Sequence, residues 1–135
     1  MEEVNWHKSV DLITMETEGS NCFNAALKEG KIVTLDGINS IAKSLGALSV
    51  SSKLFEMSFK NPKIKSLTVT DQEALSSCFK FANDHRILVE PACGAALASV
   101  YFKKFESKTK PVILVVCGGN MASLELFESW QNSLN

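Results

Sequence analysis

The chain has 135 residues, of which 45% are hydrophobic and 21% are charged, as expected for one folded domain and not for a disordered protein. Its 14 basic and 15 acidic side chains give a formal charge of -1, which argues against nucleic acid or an anionic membrane surface as a partner. The longest apolar run, residues 112–117, is too short to cross a bilayer. The acidic start, Met1-Glu2-Glu3, predicts no secretory signal.

Four cysteines are spread along the chain at Cys22, Cys78, Cys93 and Cys117. They lack the paired short spacings of zinc and redox sites. We therefore predict free thiols, in a protein of the reducing cytoplasm where structural disulfides are rare.

The first half of the chain predicts one strand and three helices. Apolar residues over 10–15 predict the strand, and residues 21–28 predict a helix behind it. An apolar stripe over residues 38–45 predicts a second helix, with a glycine at the position that ends it. A third helix over residues 54–59 ends before Pro62, because the residue ahead of a proline disfavours the α region.

The middle of the chain holds the strongest local signal. Residues 64–69 alternate between apolar and polar side chains and predict a strand near the edge of a sheet. Thr70 and Glu73 then form the pattern of a capping box, which opens a helix. Pro91 suits the first position of a further helix, and the small side chains of residues 92–99 let that helix approach its neighbours closely.

The last third of the chain predicts a strand, a turn and a helix. Residues 112–117 are apolar on both faces and rich in β-branched side chains, which predicts a strand covered by helices on each side. Gly118-Gly119-Asn120 ends it, and apolar residues at helical spacing over 124–134 predict a closing helix. The whole pattern predicts an α/β fold with about three parallel strands and flanking helices. Parallel sheets usually have more strands, which indicates an incomplete domain.

Four separate blocks of the sequence carry a family resemblance. They are Met15-Glu16-Thr17-Glu18-Gly19-Ser20, Ser40-Ile41-Ala42-Lys43-Ser44-Leu45-Gly46, Ile87-Leu88-Val89-Glu90-Pro91-Ala92-Cys93-Gly94-Ala95-Ala96 and Val115-Val116-Cys117-Gly118-Gly119. In this order they resemble the C-terminal segment of animal-type L-serine/L-threonine dehydratases, which are fold-type II pyridoxal phosphate enzymes with a tryptophan synthase β-like domain. The resemblance runs from about Val4 to the closing helix, and four blocks in register are more specific than any single one.

The resemblance implies that residues 1–135 are the C-terminal part of the large, cofactor-binding domain. The implied reaction is an α,β-elimination in which pyridoxal 5'-phosphate helps to convert serine to pyruvate, or threonine to 2-oxobutanoate, with release of ammonia. The implied partners are a small amino-acid substrate and, in the complete enzyme, a second copy in a homodimer. Serine racemase and threonine deaminase are similar to this group and stay open as alternatives.

Cys117 matches the family's cysteine whose sulfur faces the pyridine nitrogen of the cofactor. Its position agrees with that role, because α/β sheets bind ligands at the carboxyl ends of parallel strands. A thiol cannot stabilise a protonated ring nitrogen as a carboxylate would, which leaves the milder electron sink that suits an elimination. The alternative is a buried cysteine that only packs, which is common for free thiols.

Glu16 matches a family glutamate that binds a monovalent or divalent cation beside the active site. The resemblance places the other ligands, all backbone carbonyls, at Ser20, Leu45 and Ala47. Hard cations prefer such oxygen ligands. The alternative is that Glu16 caps the following helix, where the helix dipole favours a negative charge.

Two family features are missing from the sequence. The Ser-x-Lys-x-Arg-Gly signature around the lysine that holds the cofactor does not occur, and neither does the glycine-rich loop that binds the cofactor phosphate. Lys53 follows two serines but is predicted to be a solvated residue on a helix. We therefore assign no catalytic residue and expect that the chain does not turn over serine alone.

Three hypotheses follow for the chain's role. In the first, Met1 is an internal methionine of a longer dehydratase whose catalytic-lysine portion precedes it. In the second, the chain is a non-catalytic α/β domain that pairs with or regulates a full-length dehydratase. In the third, the chain is one half of a split enzyme.

Overall fold

A computed structural model describes residues 9–107 and 111–134. Two strands, β1 (Leu12–Thr17) and β2 (Ile64–Val69), form a parallel sheet in which Leu12 pairs with Ile64 and Thr17 with Val69. The five α-helices of the described residues are α1 (Cys22–Glu29), α2 (Ser52–Lys60), α3 (Asp71–His85), α4 (Pro91–Tyr101) and α5 (Leu124–Leu134). The predicted α/β class, with a parallel sheet and flanking helices, is confirmed. The family resemblance begins at about Val4, which lies outside the described residues.

Most predicted elements are present at or near their predicted positions. β2 spans the predicted residues, and β1 lies two residues later than predicted. The capping box of α3 is confirmed, since the Thr70 hydroxyl accepts from the Glu73 amide while the Glu73 carboxylate accepts from the Thr70 amide. Pro91 opens α4 as predicted. Lys53 is exposed on α2, as predicted. None of the described helices is long and apolar enough to cross a bilayer.

The helix predicted over residues 38–45 is wrong, because only a short 3-10 turn, Lys43–Leu45, forms there. The Ser40 hydroxyl accepts a hydrogen bond from the Ala42 amide and donates one to Asp71. The Ile41 amide donates to the other carboxylate oxygen of Asp71. These bonds take the groups that an α-helix would need, since serine hydroxyls compete with the backbone for its own partners.

The strand predicted over residues 112–117 is also wrong, because this segment pairs with no described strand. Within the described part of the chain, its backbone makes no hydrogen bond. Leu114 and Val116 pack against the cluster formed by α3, α4 and α5, whereas Ile113 is 85% and Val115 71% exposed. The segment is thus covered on one face only. The alternating burial of its side chains suits a strand, but a strand also needs a neighbouring strand to complete its hydrogen bonds.

Helix α4 lies at the centre of the described core. Its Ala95 and Ala98 are fully buried against Val69 of β2 and Ala74 of α3. Gly94 makes the closest approach, since a Cβ at this position would lie 2.2 Å from the Ala74 carbonyl oxygen. The small side chains therefore let α4 contact a helix and the sheet at once, as predicted from residues 92–99.

Replacing Gly94 by alanine tests this close approach. The added methyl group would also lie 2.6 Å from the Cys78 sulfur, so α3 and α4 must separate, at a cost of about 3 kcal/mol in the free energy of unfolding. Gly37→Ala is the matched control, because nothing lies within 4 Å of its added Cβ. Urea unfolding monitored by circular dichroism measures both. Equal stability of the two variants would show that α3 and α4 do not pack this closely.

Candidate functional site

The described site residues lie at the carboxyl ends of β1 and β2 and at the start of α4. The Glu16 carboxylate, at the end of β1, is 8% exposed. Its Oε1 accepts from the Phe23 amide at 3.0 Å, and its Oε2 accepts from the Asn24 amide at 2.8 Å and from the Ser66 hydroxyl at 2.7 Å. Glu16 therefore binds the first-turn amides of α1, which is the capping role considered as the alternative.

Two buried oxygens close to this carboxylate have no hydrogen-bond partner among the described residues. They are Oγ of Ser20 and Oδ1 of Asn24. Ser20 is 1% exposed, and its backbone is fixed by a hydrogen bond from its amide to the Thr17 carbonyl. Buried polar atoms are normally satisfied, so these oxygens leave room for a ligand that accepts electron pairs, such as a cation.

The other two predicted cation ligands lie on the neighbouring turn. The Leu45 carbonyl accepts from the Ala47 amide at 2.8 Å. The Leu45 side chain packs with Met15 against the cluster of β2, α3 and α4, which brings this turn close to β1. No described hydrogen bond joins Glu16 to Leu45 or Ala47, and no cluster of three histidine, cysteine or acidic side chains that could hold a metal occurs in residues 9–107 and 111–134. The cation site stays a prediction.

A polar network that the sequence did not reveal joins this turn to the sheet. The Thr17 and Ser40 hydroxyls lie 2.8 Å apart, and Ser40 donates to Asp71 at 2.6 Å. Because Ser40 uses its only hydroxyl proton on Asp71, Thr17 must donate to Ser40. Thr17 and Ser40 are both buried, so this network fixes the start of the 40–47 segment against the carboxyl end of β1.

Cys117 is exposed, while Cys22, Cys78 and Cys93 are buried, and all four thiols are free as predicted. The turn that follows Cys117 is bound by the start of α4. The Gly118 carbonyl accepts from the Glu90 amide at 3.2 Å and from the Cys93 sulfur at 3.5 Å. Gly119 lies so close to the Leu88 carbonyl oxygen that an added Cβ would be 2.5 Å from it. The accessible thiol therefore adjoins a turn with a fixed backbone.

Glu90 is a further site residue that the sequence did not single out. Its carboxylate accepts from the Met121 amide at 3.3 Å and from the Ser44 hydroxyl at 2.9 Å. The only sequence signal was its place in the Glu90-Pro91 block, directly ahead of the helix. The structure thus brings Cys117 and the turn containing Leu45 to the same end of α4.

Burial and neighbouring charge raise the pKa of two of the other thiols. Burial, together with the nearby Cys93 thiol, raises the pKa of Cys78 to about 12. Burial and, secondarily, the Glu16 carboxylate raise the pKa of Cys22. Since the thiolate is the reactive form, both shifts lower the reactivity of these two buried thiols.

Comparison with known proteins gives the family. The model of the family described as "Pyridoxal-phosphate dependent enzyme" matches residues 2–118. The chain belongs to this family of pyridoxal-phosphate-dependent enzymes. The L-serine dehydratase/L-threonine deaminase of Mus musculus is 43% identical over 133 residues, which cover 92% of this chain and 40% of that protein. The serine dehydratase-like protein of Homo sapiens is 45% identical, over 87% of this chain and 38% of that protein.

The solved structures agree with this assignment. An L-serine ammonia-lyase from the fungus Rhizomucor miehei matches 97% of this chain and 43% of its own, with a TM-score of 0.88 and 35% identity. Maize serine racemase shares the fold, with a TM-score of 0.77 at 22% identity. The predicted fold-type II architecture is confirmed. The chain spans about two fifths of the length of the curated relatives that it matches.

Thiol labelling tests the different exposure of the four cysteines. At pH 8, a pKa of about 12 leaves on the order of a thousandfold less thiolate than an ordinary thiol has. We expect one fast equivalent per native chain with a colorimetric disulfide reagent, and four in denaturant. Cys117→Ser should remove the fast phase. Two or more fast equivalents in the native wild type would contradict the described burial.

Proposed function

We propose that this chain is the C-terminal part of the cofactor-binding domain of a pyridoxal-phosphate-dependent L-serine ammonia-lyase. The complete enzyme would remove the β-hydroxyl of serine or threonine as water by α,β-elimination and release pyruvate or 2-oxobutanoate and ammonia after hydrolysis; it would lie in the cytoplasm and form a homodimer. The observation that carries the proposal is the exposed Cys117 thiol on a turn held by α4, in a chain that resembles serine dehydratases over most of its length. We further propose that the chain alone is inactive.

The residues present fit one edge of the cofactor. An accessible thiol, which is a weak hydrogen-bond donor and acceptor, can meet the pyridine nitrogen without placing a full charge there. Gly118 and Gly119 add no side chains that would obstruct a flat ring, and their contacts with Glu90 and Leu88 fix the backbone that carries the thiol. When bound, pyridoxal phosphate supplies the electron sink for the α-carbon of the substrate. Neither a phosphate-binding glycine loop nor the signature lysine occurs in this sequence.

The proposed cation site has Glu16 as its only charged ligand, with Ser20, Leu45 and Ala47 contributing backbone carbonyl oxygens. The unpartnered Ser20 and Asn24 oxygens support it. Both Glu16 oxygens already accept hydrogen bonds, but a carboxylate has about four acceptor positions in all. Glu16 can therefore cap α1 and bind a cation together.

A second candidate function is a non-catalytic domain that pairs with a full-length dehydratase. The exposed face of residues 112–117 favours it, because Ile113 and Val115 expose β-branched side chains and the segment makes no backbone hydrogen bond to any residue that the structure describes. The same surface would serve a split enzyme whose other half is a separate chain.

Complementation tests the main proposal. The chain is mixed with the portion of the mouse relative that it does not match, pyridoxal phosphate and serine, and pyruvate is measured with lactate dehydrogenase. We expect pyruvate only when both polypeptides are present. Cys117→Ala should lower the rate at least about tenfold and Cys117→Ser much less, because a hydroxyl can also bond to the ring nitrogen. Pyruvate formation by the chain alone would contradict its proposed inactivity.

The upstream coding sequence separates the candidates independently. A continuous reading frame with the Ser-x-Lys-x-Arg-Gly signature would support the longer dehydratase. A stop codon with no lysine-bearing exon nearby would count against it. In that case, co-elution of the chain with a full-length dehydratase in size-exclusion chromatography would favour the pairing domain.

Replacing Glu16 tests the cap and the cation together. Glu16→Ala leaves two buried amide donors and the partly buried Ser66 hydroxyl without an acceptor, so the free energy of unfolding should fall by about 2–3 kcal/mol. Glu18→Ala, an exposed carboxylate on the adjoining turn, should change it by less than about 0.5 kcal/mol. Potassium or calcium, compared with tetramethylammonium at equal ionic strength, should raise the unfolding midpoint of the wild type and not of Glu16→Ala. If these cations leave the wild-type unfolding midpoint unchanged, the proposed cation site is wrong, and only the capping role of Glu16 is supported.

A further inference from the structure

We propose that Glu90 is a positioning residue that couples the turn after Cys117 to the Lys43–Leu45 turn. Each of its carboxylate oxygens binds one of the two turns, so the predicted cofactor contact and the predicted cation ligands share one support. The relevance to catalysis rests on the function proposed above, but the coupling itself does not.

The contacts with the first turn involve both the backbone and the side chain of Glu90. Its amide donates to the Gly118 carbonyl at 3.2 Å, and its Oε1 accepts from the Met121 amide at 3.3 Å. The Gly118 carbonyl has a second donor in the Cys93 sulfur. Glu90 thus binds the backbone on both sides of Gly119. The turn that it holds begins at Gly118, the residue directly after the exposed Cys117 thiol.

The contact with the second turn uses the other oxygen. Glu90 Oε2 accepts from the Ser44 hydroxyl at 2.9 Å, and Ser44 is the residue directly before Leu45. Glu90 itself is fixed by both core helices, because its carbonyl accepts from the Gly94 amide of α4 at 2.9 Å and from the Cys78 sulfur of α3 at 3.5 Å. The carboxylate therefore extends from an anchored backbone toward two turns that are 46 and 31 residues away in sequence.

An ordinary capping role does not explain this arrangement. Glu90 occupies the N-cap position of α4, but its side chain makes no capping hydrogen bond with that helix. A capping carboxylate would accept from the second or third amide of its own helix. Here the Glu90 carboxylate makes no bond to α4 and instead binds two turns, which indicates that it fixes the position of one turn relative to the other.

Hydrogen exchange on the full chain, measured without cofactor by mass spectrometry or NMR, tests the coupling. In Glu90→Ala, exchange should quicken by about fivefold at Met121 and in residues 43–47, as expected for the loss of about one net hydrogen bond at each turn. Glu90→Asp should behave like Glu90→Ala, because the shorter side chain cannot reach both turns. Glu90→Gln should stay within about twofold of the wild type, because an amide can accept from Met121 and donate to Ser44.

Ser44→Ala separates coupling from a purely local role of Glu90, because a local role would leave hydrogen exchange at Met121 unchanged in this variant. No described hydrogen bond joins Ser44 to Met121, but the loss of the Ser44 hydroxyl frees one oxygen of Glu90, so exchange at Met121 should rise by about two- to threefold. Glu56→Ala, which removes a carboxylate from the exposed face of α2, is the charge-matched control and should change neither turn. Circular dichroism confirms that each variant is folded.

Two results would overturn the coupling. One is unchanged exchange at Met121 in Glu90→Ala, and the other is a Ser44→Ala effect limited to residues 43–47. Neither depends on the cofactor, so they are separable from the proposed function. If exchange responds as expected while Cys117→Ala leaves pyruvate formation intact in the complementation assay, the coupling stands and the proposed role of Cys117 fails.

Discussion

The close contact of α4 with α3 and β2 is the constraint on which the site depends. Gly94 has no side chain to separate the two helices, and Ala95 and Ala98 fill the space against the sheet with little volume. Because the backbones approach so closely, the first turn of α4 reaches the loop after Cys117 with two donors, the Glu90 amide and the Cys93 thiol. Interiors of this density transmit displacements instead of absorbing them, so a shift of α4 would move the turn that carries the exposed thiol.

Two different kinds of polar group lie at the same end of the molecule, one beside β1 and the other beside α4. On the side of β1, a carboxylate and buried hydroxyls form fixed hydrogen bonds, and two buried oxygens have no partner in the part of the chain that the structure describes. On the side of α4, a thiol stands open to solvent beside two glycines. Family membership gives this division a meaning, since pyridoxal phosphate enzymes need an oriented ring and a protein that tunes it. The chain spans about two fifths of the length of its relatives, and under the proposed function its described residues would form one edge of such a site.

The sequence predicted those elements whose causes lie close together along the chain. The capping box at Thr70 and Glu73 and the helix start at Pro91 follow from contacts within a few residues, and both are present. The helix over residues 38–45 failed because Asp71, some 30 residues later, takes the hydroxyl of Ser40 and the amide of Ile41. Likewise, the carboxylate of Glu90 bonds across 46 and 31 residues. Such partners leave no local periodicity, so the resemblance could indicate Cys117 and Glu16 but not the residues that support them.

The segment of residues 112–117 is packed against the helices on one face and exposed on the other. Leu114 and Val116 pack on the helices, whereas Ile113 and Val115 face outward, and the backbone of this segment makes no hydrogen bond within residues 9–107 and 111–134. A template of this kind accepts any extended polypeptide with a compatible alternation, including another copy of itself. A polypeptide that paired with this segment would therefore also shield it from fibre-like self-association, an effect distinct from any chemistry at Cys117.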